Sequence, residues 1–223
     1  TSWLLIAVLF AMVYRKEPWR MHVVTAGLLL STGYLIWGQF AKNTVDRAFL
    51  ADLKARGIEP EQFMSNPTAL NTVLWMGMAR QGDTLYVALH GLADPDGPLQ
   101  WLEIPRNSHY IQSAISKGNP YIERLLWFCR GYYYLTEDAS GNLWLHDLRF
   151  GRSDGFLTDR GNFIFRFELL RNGERIVGFK QVPPVMRGRL ETFHLLWRRI
   201  QGDTSIRGGF RMGFHLDDSN REL

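Results

Sequence analysis

Residues 21–41 (MHVVTAGLLLSTGYLIWGQFA) contain no Asp, Glu, Lys or Arg. As an α-helix this stretch spans about 30 Å, the thickness of a bilayer's hydrocarbon core. A helix satisfies its own backbone hydrogen bonds, which is the main demand that lipid makes on a crossing segment. The lipid bilayer is therefore the first partner that the sequence predicts. Residues 2–14 (SWLLIAVLFAMVY) form another apolar run, too short to cross alone. It lacks the basic segment before it and the small-residue cleavage site after it that mark a signal peptide. Thr1 reads as lying inside a helix that starts upstream. Residues 1–41 are then expected to form a transmembrane hairpin with a truncated first helix, and the chain to be the C-terminal part of a longer protein.

Arg15, Lys16 and Arg20 crowd the short turn between the two runs. Positive-inside logic puts this turn in the cytoplasm and the rest of the chain on the other, extracytoplasmic side. Trp3, Tyr14, Trp19 and Trp37 fall near membrane-end positions, as in aromatic belts. Gly27 and Ser31, four apart, would permit close packing of a neighbouring helix.

The remainder is meant for water. Charged residues make up 22% of the 223 residues, and the net charge of +4 comes from basic residues scattered among acids. No basic run stands out, so a nucleic-acid partner is not predicted. Cys129 is the single cysteine, which excludes an intrachain disulfide and any multi-cysteine metal site. Its setting, LLWFCR, predicts a buried, inert thiol.

Val45, Phe49 and Leu53 repeat every four residues, so 42–59 is expected to be an amphipathic stalk helix. Asn43 is a candidate cap, and Gly57 is placed to end the helix. From residue 60 the pattern turns to strands over 71–79, 84–92, 99–104, 132–137, 143–150, 162–170 and 175–182. The first pair is joined by Arg80-Gln81-Gly82-Asp83, and Asp94-Pro95-Asp96-Gly97-Pro98 is dense in turn chemistry. Helices are expected over 108–117, over 120–128 with Asn119 as cap, and over 189–200, where Leu190, Phe193, Trp197 and Ile200 form a stripe. The sequence thus predicts an α+β fold: a helical hairpin, then a mostly antiparallel sheet with a few helices over 60–202. The polar tail 203–223 is expected to be disordered.

Motifs for chemistry are absent. There is no HExxH, Walker loop, GxGxxG or GxSxG. His90 and Asp94 straddle a strand end, and His146 and Asp147 point to opposite faces of one strand. No metal ligand is assigned within the chain. Four residues remain as substrate-binding candidates. Asn66 lies in the turn-like Ser65-Asn66-Pro67-Thr68. Asn71, at a strand mouth, either ties that turn or faces a ligand. Asp147 and Arg149 share one strand face and form either a partly buried ion pair or a polar pocket. Arg106 is a surface residue unless the fold turns it inward.

These same stretches carry a resemblance. Two late apolar helices, then NPTALNTVLW, GLADPDGP, IPRN, FCRGYYYL and HDLRFG in that order, resemble the C-terminal half of the bacterial YdjM/YfhP-like family. Its members are inner-membrane proteins described as membrane-bound, metal-dependent hydrolases. The resemblance implies a bacterial inner-membrane protein with a divalent metal, such as zinc, held by His and Asp residues upstream of Thr1. It assigns no metal ligand in this chain. Two functions are therefore expected: the anchored portion of a metal-dependent hydrolase, or a non-enzymatic extracytoplasmic module that binds a ligand or protein. An apolar cavity lined by Trp75, Phe150 and the face from Phe163 to Phe167 would favour the second.

Overall fold

The computed structural model describes residues 2–158, 161–173, 175–184 and 189–206. Helix α1 (Ser2–Val13) turns back through residues 14–19 onto α2 (Arg20–Ala55). The rings of Phe10, Tyr14 and Trp19 gather at this turn, Tyr14 and Trp19 with centroids 5.5 Å apart. Ala7, Gly27 and Ser31 are buried in the hairpin, so small side chains sit where the helices meet. Helix α2 is long and apolar enough to cross a membrane. Leu29, Leu35, Ile36 and Phe40 on its apolar half are all exposed.

At 36 residues, α2 fuses the apolar segment and the stalk into one rod of about 54 Å. Asn43 is consequently not a cap. It lies inside the helix and accepts a hydrogen bond from Gln39 at 3.0 Å. The helix ends at Gly57, whose φ of 73° suits a residue without Cβ. There Ile58 N–H donates to Leu53 O (2.9 Å) and Gly57 N–H to Lys54 O (3.0 Å), a Schellman motif.

Eight strands among the described residues form two sheets where a single sheet was expected. The first holds β1 (Gln62–Pro67), β2 (Leu74–Gln81), β3 (Thr84–Gly91) and β4 (Leu102–Pro105) in chain order, all antiparallel. The second holds β5 (Tyr133–Glu137), β6 (Leu143–Arg152), β7 (Phe163–Asn172) and β8 (Arg175–Val182), again antiparallel and in order. Strand β1 occupies a stretch that reads as a turn, with Pro67 confined to its last position. Between the sheets come a 3-10 turn (Ser108–Ile111), α3 (Gln112–Ser116) and α4 (Pro120–Cys129). Asn119 caps α4 as expected, accepting from Tyr121 N–H and Ile122 N–H. Helix α5 (Arg189–Ile200) follows the second sheet.

The elements stack as four layers: helix, sheet, sheet, helix. Side chains alternate across β2, so both of its faces are buried. Trp75 faces the C-terminal half of α2 with Ala88 and Leu99, against Ala41, Val45 and Phe49. Met76 and Met78 face the second sheet, joining Leu85, Val87 and Ile104 against Tyr134, Leu148 and Phe163. The far face of the second sheet, with Leu135, Leu145 and Phe167, is covered by Ile122, Leu125 and Cys129 of α4.

Polar contacts fix α2 to the first sheet along its length. Near the apolar half, Lys42 Nζ donates to Ser65 Oγ (2.8 Å) and pairs with Asp46 (2.6 Å), while Ser65 Oγ–H donates to Asp46. Two turns on, Asp52 accepts from Leu99 N–H (3.0 Å) and Trp101 Nε1–H (2.8 Å). A Cβ on Gly38 would lie 3.9 Å from Thr72, and one on Gly77 would meet the Phe49 ring. Helix α2 and β2 therefore run in the same direction. The β1–β2 loop and the end of β3, where Leu74 pairs with Gly91, lie nearest the apolar half of α2.

Helix α5 closes this same end of the sandwich. Leu196 and Ile206 pack with Leu74 and with Leu157 of the β6–β7 loop. Ile206 is thus part of the packed domain, and residues 207–223 lie outside the described residues. Three of the four residues of the α5 stripe lie outward, Leu190 87%, Phe193 50% and Trp197 62% exposed, while Ile200 packs against the sandwich. The inward face carries Leu196 and Arg199, because Arg199 finds a buried carboxylate.

Candidate functional site

The four candidate residues all make internal contacts, and they do not form one group. Asn71 ties its turn: its Oδ1 accepts from Val73 N–H (2.9 Å) and Leu74 N–H (2.7 Å), and its Nδ2 donates to Thr68 Oγ1 (2.7 Å) and Ala69 O (3.1 Å). Asn66 Nδ2 donates to Arg149 O at 3.1 Å, linking β1 of the first sheet to β6 of the second.

Asp147 and Arg149 form the ion pair. Arg149 donates from Nη2 to Oδ2 (2.6 Å), from Nε to Oδ1 (3.1 Å) and from its backbone N–H to Oδ1 (2.9 Å). The register of β6 against β7 shifts just after Asp147. The Asp147 side chain is fully buried, and the Arg149 guanidinium lies 5.1 Å from the Phe128 and Phe150 ring centres. Burial pushes the Asp147 carboxyl up from its ordinary value, and the bonds from Arg149 oppose this. Burial and the neighbouring Asp147 also push the Cys129 thiol up, which keeps it protonated. Arg106 is turned inward and lies 4.3 Å over the Tyr133 ring.

The expected cavity lined by Trp75, Phe150 and the Phe163–Phe167 face does not form. Trp75 belongs to the layer under α2 and Phe163 to the layer between the sheets. Phe167 lies under α4, and Phe150 is half exposed. The cavity lies elsewhere. Strand β4 pairs with β3 only as far as Val87, so the edge of β3 from Ala88 onward is open. The loop from Asp94 to Trp101 arches past this edge and leaves a space of about 390 Å³. Leu89, Leu102, Trp101 and Phe156 supply apolar wall, and His90, Asp94, Gln100 and Arg199 supply polar groups.

At its inner end lies a buried polar cluster. Arg199 donates to both carboxylate oxygens of Asp94 (Nη2–Oδ2 2.6 Å) and to Leu89 O (3.3 Å). Asp94 also accepts from Gly91 N–H (2.9 Å), and His90 Nδ1 lies 3.4 Å from its Oδ2. Burial alone would raise the Asp94 carboxyl. The nearby His90 ring and the bonds from Arg199 and Gly91 outweigh it and hold the group well below the usual carboxylate range. The His90 ring meets Phe49 edge-on at 5.8 Å. Spacing along the sequence hides this cluster, because Arg199 is 105 positions from Asp94. His90 and Asp94, set aside in the sequence because a strand end separates them, are brought together by the turn that starts at Gly91, and with the dense turn after Asp94 they are its visible signs.

Among the described residues, His146 is the buried imidazole. It stacks on Tyr134 at 4.4 Å and shares a hydrogen bond with Thr136 Oγ1 (3.0 Å). Among the described residues, no three His, Cys, Asp or Glu side chains converge in a way that could hold a metal ion. Comparison of the chain with family models, with curated proteins and with solved structures finds no match.

Proposed function

We propose that this chain is a membrane-anchored binding module that takes a small, largely apolar molecule in the cavity beside β3. The observation that carries this reading is the pairing of an apolar wall with a few convergent polar groups in a space of about 390 Å³. Pockets for small ligands have this make-up and fall in the range of roughly 300–1,000 Å³. Trp101 and Phe156 offer aromatic surface. Gln100 and the partly exposed His90 offer hydrogen bonds that orient a single polar group. Asp94 and Arg199 neutralise each other, which suits an uncharged ligand better than an ionic one. The apolar half of α2 supplies the anchor in the bilayer.

The test is a screen of small uncharged lipids against the full chain in detergent, with a chelator present, read by native mass spectrometry. Binding that survives chelation and is lost when Leu89→Trp fills the cavity is the expected result. The metal-dependent hydrolase implied by the family resemblance makes the opposite prediction. If ligand binding needs a divalent ion, or hydrolysis stops on chelation, the binding-module reading is wrong.

A further inference from the structure

On the reading of α2 as a membrane anchor, we infer that the outer face of α5 rests on the same lipid bilayer that α2 crosses. Leu190, Phe193 and Trp197 follow one another at three- and four-residue spacing, so they share one side of the helix. All three are exposed. Arg199, about 150° around the axis from the middle of that stripe, is bound into the sandwich, and Leu195, Leu196 and Ile200 pack beside it. The apolar side therefore points away from the end of the sandwich that α5 closes.

That end faces the membrane. Its residues Leu74, Gly91 and Asp94 lie at the level where α2 leaves its apolar half, as the approach of Gly38 to Thr72 fixes. A helix with one apolar side turned toward a bilayer, and placed beside a membrane-crossing segment, is suited to lie in the headgroup layer. Trp197 suits that layer, where indole rings concentrate.

Leu70 gives an independent second contact. It sits at the tip of the β1–β2 loop, two residues from Thr72, and is 87% exposed. Its φ is 62°, a conformation that a branched side chain adopts only when its surroundings impose it. The four hydrogen bonds of Asn71 impose it here and hold the leucine outward. In water this arrangement gains nothing. Against a bilayer it inserts an apolar side chain beside the anchor.

The experiment places nitroxide labels on cysteines in the full chain, reconstituted in phosphatidylcholine–phosphatidylglycerol vesicles. Collision with oxygen reports lipid, and collision with a water-soluble nickel chelate reports water. Labels go at Phe193→Cys and Leu70→Cys, with Leu29→Cys inside α2 and Ser140→Cys at the far turn of the second sheet as references. The unsubstituted chain, whose Cys129 is buried, gives the labelling background. The expected oxygen-to-nickel ratio at 193 and 70 is several-fold above that at 140 and approaches that at 29. A ratio at 193 equal to that at 140, with position 29 still in lipid, overturns the contact and leaves the anchor standing. Low access to both reagents at 193 also overturns it, by showing a protein surface on this face. An aqueous reading at 29 overturns the anchor, and the contact with it.

Discussion

The Phe49 ring occupies the space above Gly77: a Cβ added to that glycine would lie 2.7 Å from two of the ring carbons. This contact seats α2 on the centre of the first sheet. Gly77→Ala is expected to destabilise the chain by about 1–3 kcal/mol, the usual cost of overpacking a filled core. Phe49→Leu in the same chain should return part of that loss. Denaturant titration in detergent, followed by tryptophan fluorescence, checks both. Additive losses in the double variant would show that the two residues do not interact.

Arg149→Ala leaves the fully buried Asp147 carboxyl without its cation. Breaking a buried pair from one side costs about 3–5 kcal/mol. Replacing both partners, as Asp147→Leu with Arg149→Met, should recover most of it, and ligand binding in the β3 cavity should be unchanged. A double variant that folds but no longer binds would move these two residues from the scaffold to the site.

His146 gives a pH signature. Burial, with a smaller push from Arg166, lowers its pKa from 6.5 to about 3. The folded chain thus stays unprotonated where the unfolded chain binds a proton. Stability from this group is complete above pH 6.5 and falls as the pH drops toward 3, by at most about 1.4 kcal/mol per pH unit. His146→Gln keeps a partner for Thr136 and should flatten the decline between pH 6.5 and 4. An unchanged slope in that variant assigns the decline to other groups.

The pair of Arg199 and Asp94 behaves with its own window. The Asp94 carboxyl is held below its ordinary 3.8, so its contribution is present above that pH and is lost as the pH falls through the lower folded value. Arg199→Met should loosen α5 without unfolding the sheets. Hydrogen exchange checks this: amides of α5 should lose protection by a factor of ten or more, corresponding to about 1.4 kcal/mol, while β2 and β6 keep theirs.

Much of this architecture is written locally. The uncharged run before Gly38, the four-residue repeat of Val45, Phe49 and Leu53, the Asn119 cap and the turn at Gly82 each arise from neighbouring residues, and each is in the structure. The Asp147–Arg149 pair is equally local, being two positions apart on one strand face. What could not be read depends on distant partners. Strand β1 looks like a turn at Asn66-Pro67 until β2 pairs with it. The split into two sheets depends on which faces meet, since either arrangement uses the same alternation. In the α5 stripe, Leu190, Phe193 and Trp197 lie outward and Ile200 packs inward, and spacing alone does not say which side is covered. Arg199, found on the other side, is drawn inward by a carboxylate on a loop that precedes it by half the chain.

Helix α2 has no proline, glycine hinge or cap between Gly38, at the end of its apolar half, and its contacts with Trp101, and this makes it a ruler. From Gly38 to Asp52 it advances about 21 Å. The loop that Asp52 fastens, and with it the first sheet, is thereby held at a fixed distance and angle from the apolar half of α2. Any rotation of the hairpin would swing the first sheet by the same angle, with no joint in between to absorb it.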